Sequence, residues 1–398
     1  MRYTIARRRW FASTARRVWT SVIMLAVFCA WVFASAVLLL AAWRVATTSK
    51  ARFATQSRYL AASKGIAPSD TSSCLSGKDR QARHKVPLSE TEVLKAGVPC
   101  ADAAQIAALS AIISTSGSRP LSDPLTLLRF YNARSRNVKA AADMYRETMD
   151  WRRTFGIKKL MADHGNGGDY KADGGRSGDP SVWTWSPKPS TPEAEFARHY
   201  AFFGRLKHVS QAGEPILLWR IGTVDYAGIV REELVDVMMR AWVVHLEDAL
   251  QASRAASIRH QRLVRARLII DAQDFSMSNV RYIPILKGII TLGKQYFPEV
   301  TASVTVVRAP SVAAQLYKLI KNLLTPLMVE KICILGMNFK EGLVSHAGLE
   351  SAMALPIWLG GEAPDNEIVE PSMIPVGTGA ALRGATATLS ARRIFKPR

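Results

Sequence analysis

Strand-like apolar runs alternate with longer helical segments from residue 193 onward. The helical segments are 14 to 22 residues long, so consecutive strands are too far apart to pair through tight hairpins. Strands joined by helices pair in parallel through crossovers, with the helices packed on the faces of the sheet. The sequence therefore predicts an α/β domain with a largely parallel mixed sheet. The predicted strands are 215–221, 264–271, 302–308 and 331–335, and the predicted helices are 193–209, 231–252, 279–296 and 311–324.

A smaller helical module precedes this domain. Asp123 followed by Pro124 is typical of a helix start, because the carboxylate caps free backbone amides and proline suits the first turn. Apolar residues then recur at near-helical spacing as far as Gly156. The stretch 70–118 carries only a short apolar patch, which favours a linker with one weak helix. The predicted organisation is a basic leader at 1–69, this linker at 70–118, the helical module at 119–160, a flexible connector at 161–192, the α/β domain at 193–362 and a tail at 363–398.

Within the leader, a segment of 26 residues from Val18 to Trp43 carries no charge. As a helix it would be about 39 Å long, more than the ~30 Å hydrocarbon core of a bilayer. The sequence thus predicts a transmembrane segment at 18–43 and a membrane location through a single-pass N-terminal anchor. Two alternatives stay open: a leader that is cleaved on entry into an organelle, because the acid-free stretch continues to Ser69, and a buried helix of a soluble domain.

The net charge of +21 comes in large part from the leader, which holds 11 Lys and Arg residues and no Asp or Glu. Removing it leaves a much smaller excess over the other 329 residues, so a nucleic-acid partner is not predicted. Arginines flank the uncharged segment on both sides, with a bias that favours an N-terminus in the cytosol. The compartment of the main domain stays open.

Common catalytic and metal-binding motifs are absent from the sequence. It contains no G-x-x-x-x-G-K-[ST], no G-x-S-x-G and no H-E-x-x-H, and its four cysteines have no metal or redox spacing. We therefore expect a protein that is not an enzyme and that carries no metal or cofactor. A lipid hydrolase that uses His208 or His245 as a base is the remaining enzymatic alternative, since both lie near acidic residues.

Two ordered groups of residues resemble the CRAL-TRIO lipid-transfer family, which includes phosphatidylinositol transfer proteins and carriers of tocopherol and retinaldehyde. The first group lies in the helical module and comprises Leu127-Leu128-Arg129-Phe130, Ala133-Arg134, Trp151-Arg152-Arg153 and Phe155-Gly156. The second group follows the family's lipid-binding domain in order and includes Gly213-Glu214-Pro215-Ile216, Ile269-Ile270-Asp271, Tyr296-Phe297-Pro298-Glu299, Ala309-Pro310, Ile334-Leu335-Gly336 and Gly360-Gly361. Together they cover about residues 123 to 362.

The resemblance implies an apolar lipid cavity with a sheet as its floor, helices as its walls and one helix as a movable gate. The segment 311–324 agrees with a gate, because its apolar residues fall on one stripe while Lys318 and Lys321 lie off it. An ordinary amphipathic wall helix is the alternative. The residues predicted for the gate and the cavity lining are Val312, Leu316, Leu319, Ile320, Leu323, Met238, Met239 and Trp242, and core packing explains the last three equally well.

In family members that bind phosphatidylinositol, the Glu of a Y-P-E-type motif and the Lys before an I-x-I-L-G strand contact the headgroup. Glu299 and Lys331 match these positions. A carboxylate can accept hydrogen bonds from inositol hydroxyls, and an ammonium can neutralise a phosphodiester. Arg129 or Arg134 is expected to assist, although Asn132 replaces the middle arginine of the family's L-R-F-L-R-A-R run.

The resemblance therefore predicts a protein that binds and transfers or presents a lipophilic ligand, with phosphatidylinositol as the leading candidate. Choline lipids are disfavoured, because Ala266 and Leu268 stand where members that bind them carry hydroxyl side chains. The expected partners are a phospholipid or another hydrophobic ligand and a membrane surface. A membrane-tethered lipid sensor or scaffold without transfer activity is the second hypothesis.

Overall fold

The computed structural model describes residues 87–114, 121–165, 179, 181–185, 202–311, 317–318, 320–363 and 368–369. The predicted leader 1–69 with its span 18–43, residues 193–201 of a predicted helix and most of the predicted tail lie outside these residues. In the part of the chain that the structure describes, no helix is both long and apolar enough to cross a membrane.

Helices and short strands alternate through the described residues. The helices are α1 (Glu90–Lys95), α2 (Cys100–Ser114), α3 (Pro124–Ala133), α4 (Val138–Phe155), α5 (Ile157–His164), α6 (Tyr226–Arg231), α7 (Val235–His260), α8 (Ile283–Tyr296), α9 (Pro326–Glu330) and α10 (Lys340–Ala347). The strands are β1 (Phe202–Val209), β2 (Pro215–Arg220), β3 (Ala266–Asp271), β4 (Thr301–Val307), β5 (Ile332–Ile334) and β6 (Ile368–Val369). Single 3-10 turns lie at Ile221–Thr223, Met277–Tyr282, Lys321–Leu323, Ala352–Ala354 and Ile357–Leu359.

The helical module is larger than the sequence analysis predicted. Asp123 caps α3 through its carboxylate, which accepts from the Thr126 amide, and Pro124 occupies the first turn as predicted. The stretch 87–114, however, forms α1 and α2 in place of a linker with one weak helix. Apolar residues of α2 share one core with α3 and α4, including Ile106, Leu109 and Ile113, each fully buried. The linker prediction missed this because the small alanines of α2 pack closely but give little apolar periodicity.

The sheet has the strand order β5-β4-β3-β2-β1-β6. Strands β2 to β5 pair in parallel, and β1 pairs antiparallel with both β2 and β6. The predicted mixed α/β sheet is therefore confirmed, with its four predicted strands in place. Between β2 and β3, α6 and α7 form the crossover, and α8 connects β3 to β4, as expected for parallel neighbours.

The prediction of a helix over 193–209 is wrong for residues 202–209, which form β1. Phe203 and Leu206 are three positions apart, a spacing that imitates one helix face. In the sheet they lie on opposite faces, in two different hydrophobic clusters. A tight turn through Gly213, with φ of 76°, then leads into β2, and His260 packs so close that a Cβ there would clash.

Helices cover both faces of the sheet. On one face α7 and α8 pack with Phe203, Trp219 and other residues into the main core. On the opposite face α10 and the two turns after it pack against Leu218, Ile269 and Val307. This layered arrangement leaves the edge at β5, the last strand of the parallel part, as the place where a site can open.

Candidate functional site

The residues that precede three neighbouring strands lie side by side. Arg265 precedes β3, Glu299 comes shortly before β4, and Lys331 immediately precedes β5. Because these strands are parallel and adjacent, their amino ends lie side by side at the same end of the sheet. Backbone bonds fix the register there, with the Ala266 amide donating to the Val300 carbonyl at 2.7 Å. The topology thus assembles three charged side chains from distant parts of the sequence.

The Glu299 carboxylate is the centre of this group. Lys331 Nζ lies 3.3 Å from Glu299 Oε2, and Arg265 Nε lies 3.0 Å from the same oxygen. Lys331 Nζ also donates to the Thr301 carbonyl at 3.3 Å. The side chains of Arg265, Glu299 and Lys331 are 30%, 17% and 22% exposed, so a ligand can reach them while the surrounding protein limits solvent screening.

Arg129 of α3 contacts the backbone of this group. Its guanidinium donates to the Glu299 carbonyl at 2.6 Å, to the Val264 carbonyl and to the Ser257 hydroxyl at 3.3 Å. Burial lowers the pKa of Arg129 to about 10, so the group remains charged at neutral pH. Glu299 itself has φ of 52°, a conformation that favours glycine, and the bond from Arg129 to its carbonyl helps to hold it. We refer to Arg129, Arg265, Glu299 and Lys331 as the Glu299 cluster.

The predicted site residues therefore have different surroundings. Glu299 and Lys331 are brought together and form a salt bridge with each other, and their contact with a headgroup stays a prediction. Arg129 is only 1% exposed and acts on the backbone of Glu299, so the prediction that it contacts a ligand directly is not favoured by its position. Arg134 is half-buried, and its side chain donates to the Ala133 carbonyl at 3.3 Å. Arg265 was missed, because no local pattern marks an arginine whose partner lies 34 positions away.

An apolar surface begins at the same strand ends. Strand register aligns side chains into two rows across the sheet, which we call the apolar rows: Leu217, Leu268, Val304 and Ile332 in one, and Trp219, Ile270, Val306 and Ile334 in the other. Exposure rises along these rows. Leu217 and Trp219 on β2 are buried, whereas the members on β3 and β4 are half-buried and Ile334 on β5 is 40% exposed. The rows therefore form an apolar floor that becomes accessible toward β5.

Only part of the predicted gate segment 311–324 can be compared with the prediction. Val312, Leu316 and Leu319 lie outside the described residues, as does the side chain of Leu323. Ile320 is half-buried and packs against the main core, while Lys318 and Lys321 are exposed. The turn Lys321–Leu323 lies against α8. This division of apolar and charged residues agrees with the amphipathic stripe expected from the sequence.

The predicted lining residues of α7 belong mainly to the core. Met238 is fully buried and Trp242 is 6% exposed, in a group of rings with Phe203, Trp219 and His245. Met239 is half-buried, and its Cε lies 3.6 Å from where a Cβ on Gly288 of α8 would stand. Of the three residues, Met239 is thus the one that lies between α7 and α8 with part of its side chain still exposed.

The two histidines considered as bases do not share a catalytic arrangement with the Glu299 cluster. His245 is 4% exposed among aromatic rings, and burial lowers its pKa to about 4. His208 is half-buried in β1, on the far side of β2 and β3 from β5.

Comparison with known proteins identifies the α/β region. Residues 202–355 match the model of the CRAL/TRIO domain, from the first residue of β1 to the turn before Pro356. This region of the chain is therefore similar to a CRAL/TRIO domain. Its relatives support membership of the CRAL-TRIO family, and the mixed sheet flanked by helices agrees with that assignment.

Several relatives are similar over more than the matched domain. A CRAL-TRIO domain-containing protein of Saccharomyces cerevisiae is 24% identical, over 60% of this chain and 71% of its own length. The SEC14 cytosolic factor of Yarrowia lipolytica is 24% identical over 66% of this chain, but the match spans only 48% of that relative. The Sec14 cytosolic factor of Schizosaccharomyces pombe is 24% identical over 60% of this chain and 74% of its own length. A crystal structure of Sfh5 aligns with 60% of this chain and 77% of that chain, at 14% identity and a TM-score of 0.40.

These findings correct one prediction. The sequence predicts a membrane location through a single-pass N-terminal anchor. No helix of the described residues could cross a membrane, and two of the CRAL-TRIO relatives are named cytosolic factors. The anchor prediction rested on the length and hydropathy of the segment 18–43 and on the residues that flank it, and this segment lies outside the described residues.

Proposed function

We propose that this CRAL-TRIO protein binds phosphatidylinositol and transfers it between membranes or presents it at a membrane. The observation that carries the proposal is the Glu299 cluster at the amino ends of β3, β4 and β5, beside the apolar rows of the same strands. The family assignment supports a lipophilic ligand, and the cluster supports a headgroup that combines hydroxyls with an anionic phosphate.

The apolar rows supply the surface that lipid tails need. Burying a methylene group is worth about 0.8 kcal/mol, so two acyl chains of ~16 carbons represent about 25 kcal/mol that must not be exposed to water during transfer. A bilayer offers the tails nearly the same environment, so tail burial gives little net preference for the protein. Selectivity must come from the headgroup, which places the discrimination at the Glu299 cluster.

The chemistry of the cluster suits an inositol phosphate. The Glu299 carboxylate can accept hydrogen bonds from ring hydroxyls, and Lys331 can neutralise the phosphodiester. A choline headgroup has no hydroxyl to donate and adds a positive charge to a site that is already cationic. Ala266 is buried and Leu268 belongs to the apolar rows, so neither supplies a hydroxyl for a choline lipid.

The segment 311–324 is proposed as the gate over the apolar rows and as a contact with the membrane surface. Ile320 faces the core while Lys318 and Lys321 are exposed, so the segment can cover the floor and present cations to anionic lipids. Each cation near an anionic surface contributes about 1 kcal/mol of attraction. Opening of this segment would expose the rows to the bilayer.

A transfer assay with labelled phosphatidylinositol tests the proposal. We expect Lys331→Gln to reduce transfer from donor to acceptor vesicles at least tenfold, because a charge-assisted contact with the phosphate is lost. Lys139→Gln is the matched control, since Lys139 is an exposed lysine of α4 far from the cluster in sequence. Equal transfer by both variants would refute a headgroup role for Lys331. Binding without transfer by the wild-type chain would favour presentation over transport.

A further inference from the structure

We propose that Arg265 is the principal phosphate-binding residue of the headgroup site, an inference that rests on the proposed function and assigns a role to a residue that the sequence motifs do not include. The family's pattern offers other arginines, and here they are unsuited. Arg129 is buried and committed to three backbone and hydroxyl acceptors, and Arg134 donates to the carbonyl of its own neighbour. Val300, the residue after Glu299, is 3% exposed and carries no charge.

Arg265 lies beside Glu299, where these residues supply no free cation. It precedes β3, so the parallel sheet sets it next to Glu299, and its Nε lies 3.0 Å from Glu299 Oε2. At 30% exposure it is the most accessible charged side chain among Arg265, Glu299 and Lys331. Its location follows from the register of β3 and β4, because Ala266 pairs with Thr301.

The hydrogen-bonding capacity of Arg265 is largely unused. Its Nε is buried and, among the described residues, meets no acceptor with hydrogen-bond geometry, although the ion pair with Glu299 is close. A guanidinium has five N–H donors in a planar fork that matches two phosphate oxygens. Because Nε meets Glu299 as an ion pair without hydrogen-bond geometry, a ligand oxygen could accept hydrogen bonds from the guanidinium that the carboxylate does not accept.

The charge balance also favours an anion. Three cationic side chains, Arg129, Arg265 and Lys331, surround the single carboxylate of Glu299. Without a ligand, Glu299 neutralises part of this charge by pairing with both Arg265 and Lys331. With a phosphorylated inositol bound, the phosphate can take Arg265 in a bidentate contact while Glu299 turns to the ring hydroxyls. The phosphate therefore replaces Glu299 as the anionic partner of Arg265.

The test measures loading of the full-length protein with two lipids that have the same acyl chains. The probes are vesicles that contain phosphatidylinositol and vesicles that contain diacylglycerol, which lacks the phosphate, and bound lipid is quantified after repurification. We expect Arg265→Gln to lower phosphatidylinositol loading at least tenfold and to leave diacylglycerol loading within about twofold. Phosphatidylinositol loading by Arg265→Lys should lie between that of Arg265→Gln and that of the wild type, because an ammonium keeps the charge of the guanidinium but not its planar pair of donors. Arg259→Gln, at an exposed arginine of α7, should match the wild type.

Distinct outcomes separate this inference from the proposed function. A wild-type chain that loads neither lipid contradicts the proposed function. Wild-type loading of phosphatidylinositol with equal loading by Arg265→Gln and Arg259→Gln overturns the assignment of Arg265 and leaves the proposed function standing. If Arg265→Gln has a lowered thermal midpoint, the decision falls to Arg265→Lys, whose loading must drop for the inference to survive. A last experiment tests soluble inositol monophosphate and inositol for their ability to protect Arg265 from an arginine-specific reagent. Protection by inositol monophosphate alone supports a phosphate site that accepts either a lipid headgroup or a free phosphate. Equal protection by inositol contradicts a phosphate site at Arg265.

Discussion

Buried charge pairs are the most consequential individual contacts in the described part of the chain. Arg152 of α4 donates to both carboxylate oxygens of Glu247 on α7, at 2.7 Å each, and both residues are at least nine-tenths buried. Gln251 donates to the same carboxylate at 2.8 Å. Because burial removes water from both charges, each depends on the other for compensation.

Replacing one partner of this pair should therefore be costly. We expect Arg152→Met to lower the free energy of unfolding by about 3–5 kcal/mol, since it leaves the Glu247 carboxylate buried without its cation. The neighbouring Arg153 pairs with Asp150 at the surface, with side chains 80% and 70% exposed. Arg153→Met should change stability by less than about 1 kcal/mol. Urea unfolding of the two variants gives the comparison, and similar losses for both would contradict the account of Arg152.

His245 should make stability depend on pH. Burial lowers its pKa to about 4 in the folded protein, whereas an unfolded chain has a pKa of about 6.5. The unfolded state thus takes up a proton first as the pH falls, so stability is lost between about pH 6.5 and pH 4. Between about pH 7.5 and pH 5 the expected loss is about 2 kcal/mol.

The variant His245→Phe separates this contribution from others, because Phe fits the surrounding rings but does not titrate. Burial and the nearby Arg267 also lower the pKa of His346, which therefore acts in the same direction and remains in both proteins. The measured quantity is the free energy of unfolding in urea at the two pH values. A loss of the same size in His245→Phe and in the wild type would show that His245 is not responsible.

At the scale of elements, the sequence predicted the parallel strands well because each is a short run of apolar residues bounded by loops. All four predicted strands appear, and each end lies within two residues of its predicted place. β1 was mistaken for a helix because both of its faces are buried, so Phe203, Arg205 and Leu206 offer no alternation of apolar and polar residues. Hydropathy patterns report which residues are buried, and residues 203–206 of β1 are buried on both faces because apolar clusters pack on both faces of the sheet.

The candidate site was predictable only where a local motif marks it. Glu299 and Lys331 stand in recognisable motifs, and the structure brings them within 3.3 Å. Arg265 has no motif, since its place beside Glu299 follows from the order and register of β3 and β4. The packing of Met238 and Trp242 in the core was equally hidden, because lining and core residues have the same composition.

The first two helices should be required for a stable helical module. Ile106, Leu109 and Ile113 of α2 are fully buried against α3 and α4, so their removal exposes the other side of that core. We expect a fragment 119–369, which starts at the boundary predicted from sequence, to be less stable than a fragment 87–369. At about 1.5–3 kcal/mol for each large apolar side chain buried, the difference should amount to several kcal/mol.

Thermal unfolding of the two fragments checks this prediction. The fragment that lacks α1 and α2 should also bind a dye for exposed apolar surface, such as ANS. Equal midpoints and equal dye binding would mean that these helices contribute little to the module.

At the scale of the whole molecule, the helical module and the α/β domain form several buried contacts with each other. Arg129 reaches the loop before β4, Asp123 pairs with Arg254 of α7 at 2.7 Å, and Trp151 stacks on Tyr296 with ring centroids 4.1 Å apart. Of these contacts, that of Arg129 is made with the loop that carries Glu299, and that of Trp151 is made with the last residue of α8, just before this loop. The module therefore helps to position the Glu299 cluster, even though it lies outside the matched region.

The same contacts suggest how loading and stability are connected. A ligand that binds the folded chain and not the unfolded one raises stability by an amount set by its concentration and affinity. If the module holds the Glu299 loop in place, lipid binding should stabilise the module and the domain together, as one cooperative unit.

Photochemical labelling tests most directly whether the apolar rows hold the lipid. The probe is a phosphatidylinositol that carries a photoreactive group on one acyl chain. After loading from vesicles and irradiation, we expect the full-length protein to carry adducts on peptides of β3, β4 and β5, at residues of the apolar rows such as Leu268, Val304 and Ile332. Adducts confined to other elements would contradict the claim that these rows hold the lipid. The absence of adducts would contradict it as well, provided that a protein embedded in the same vesicles is labelled under the same conditions.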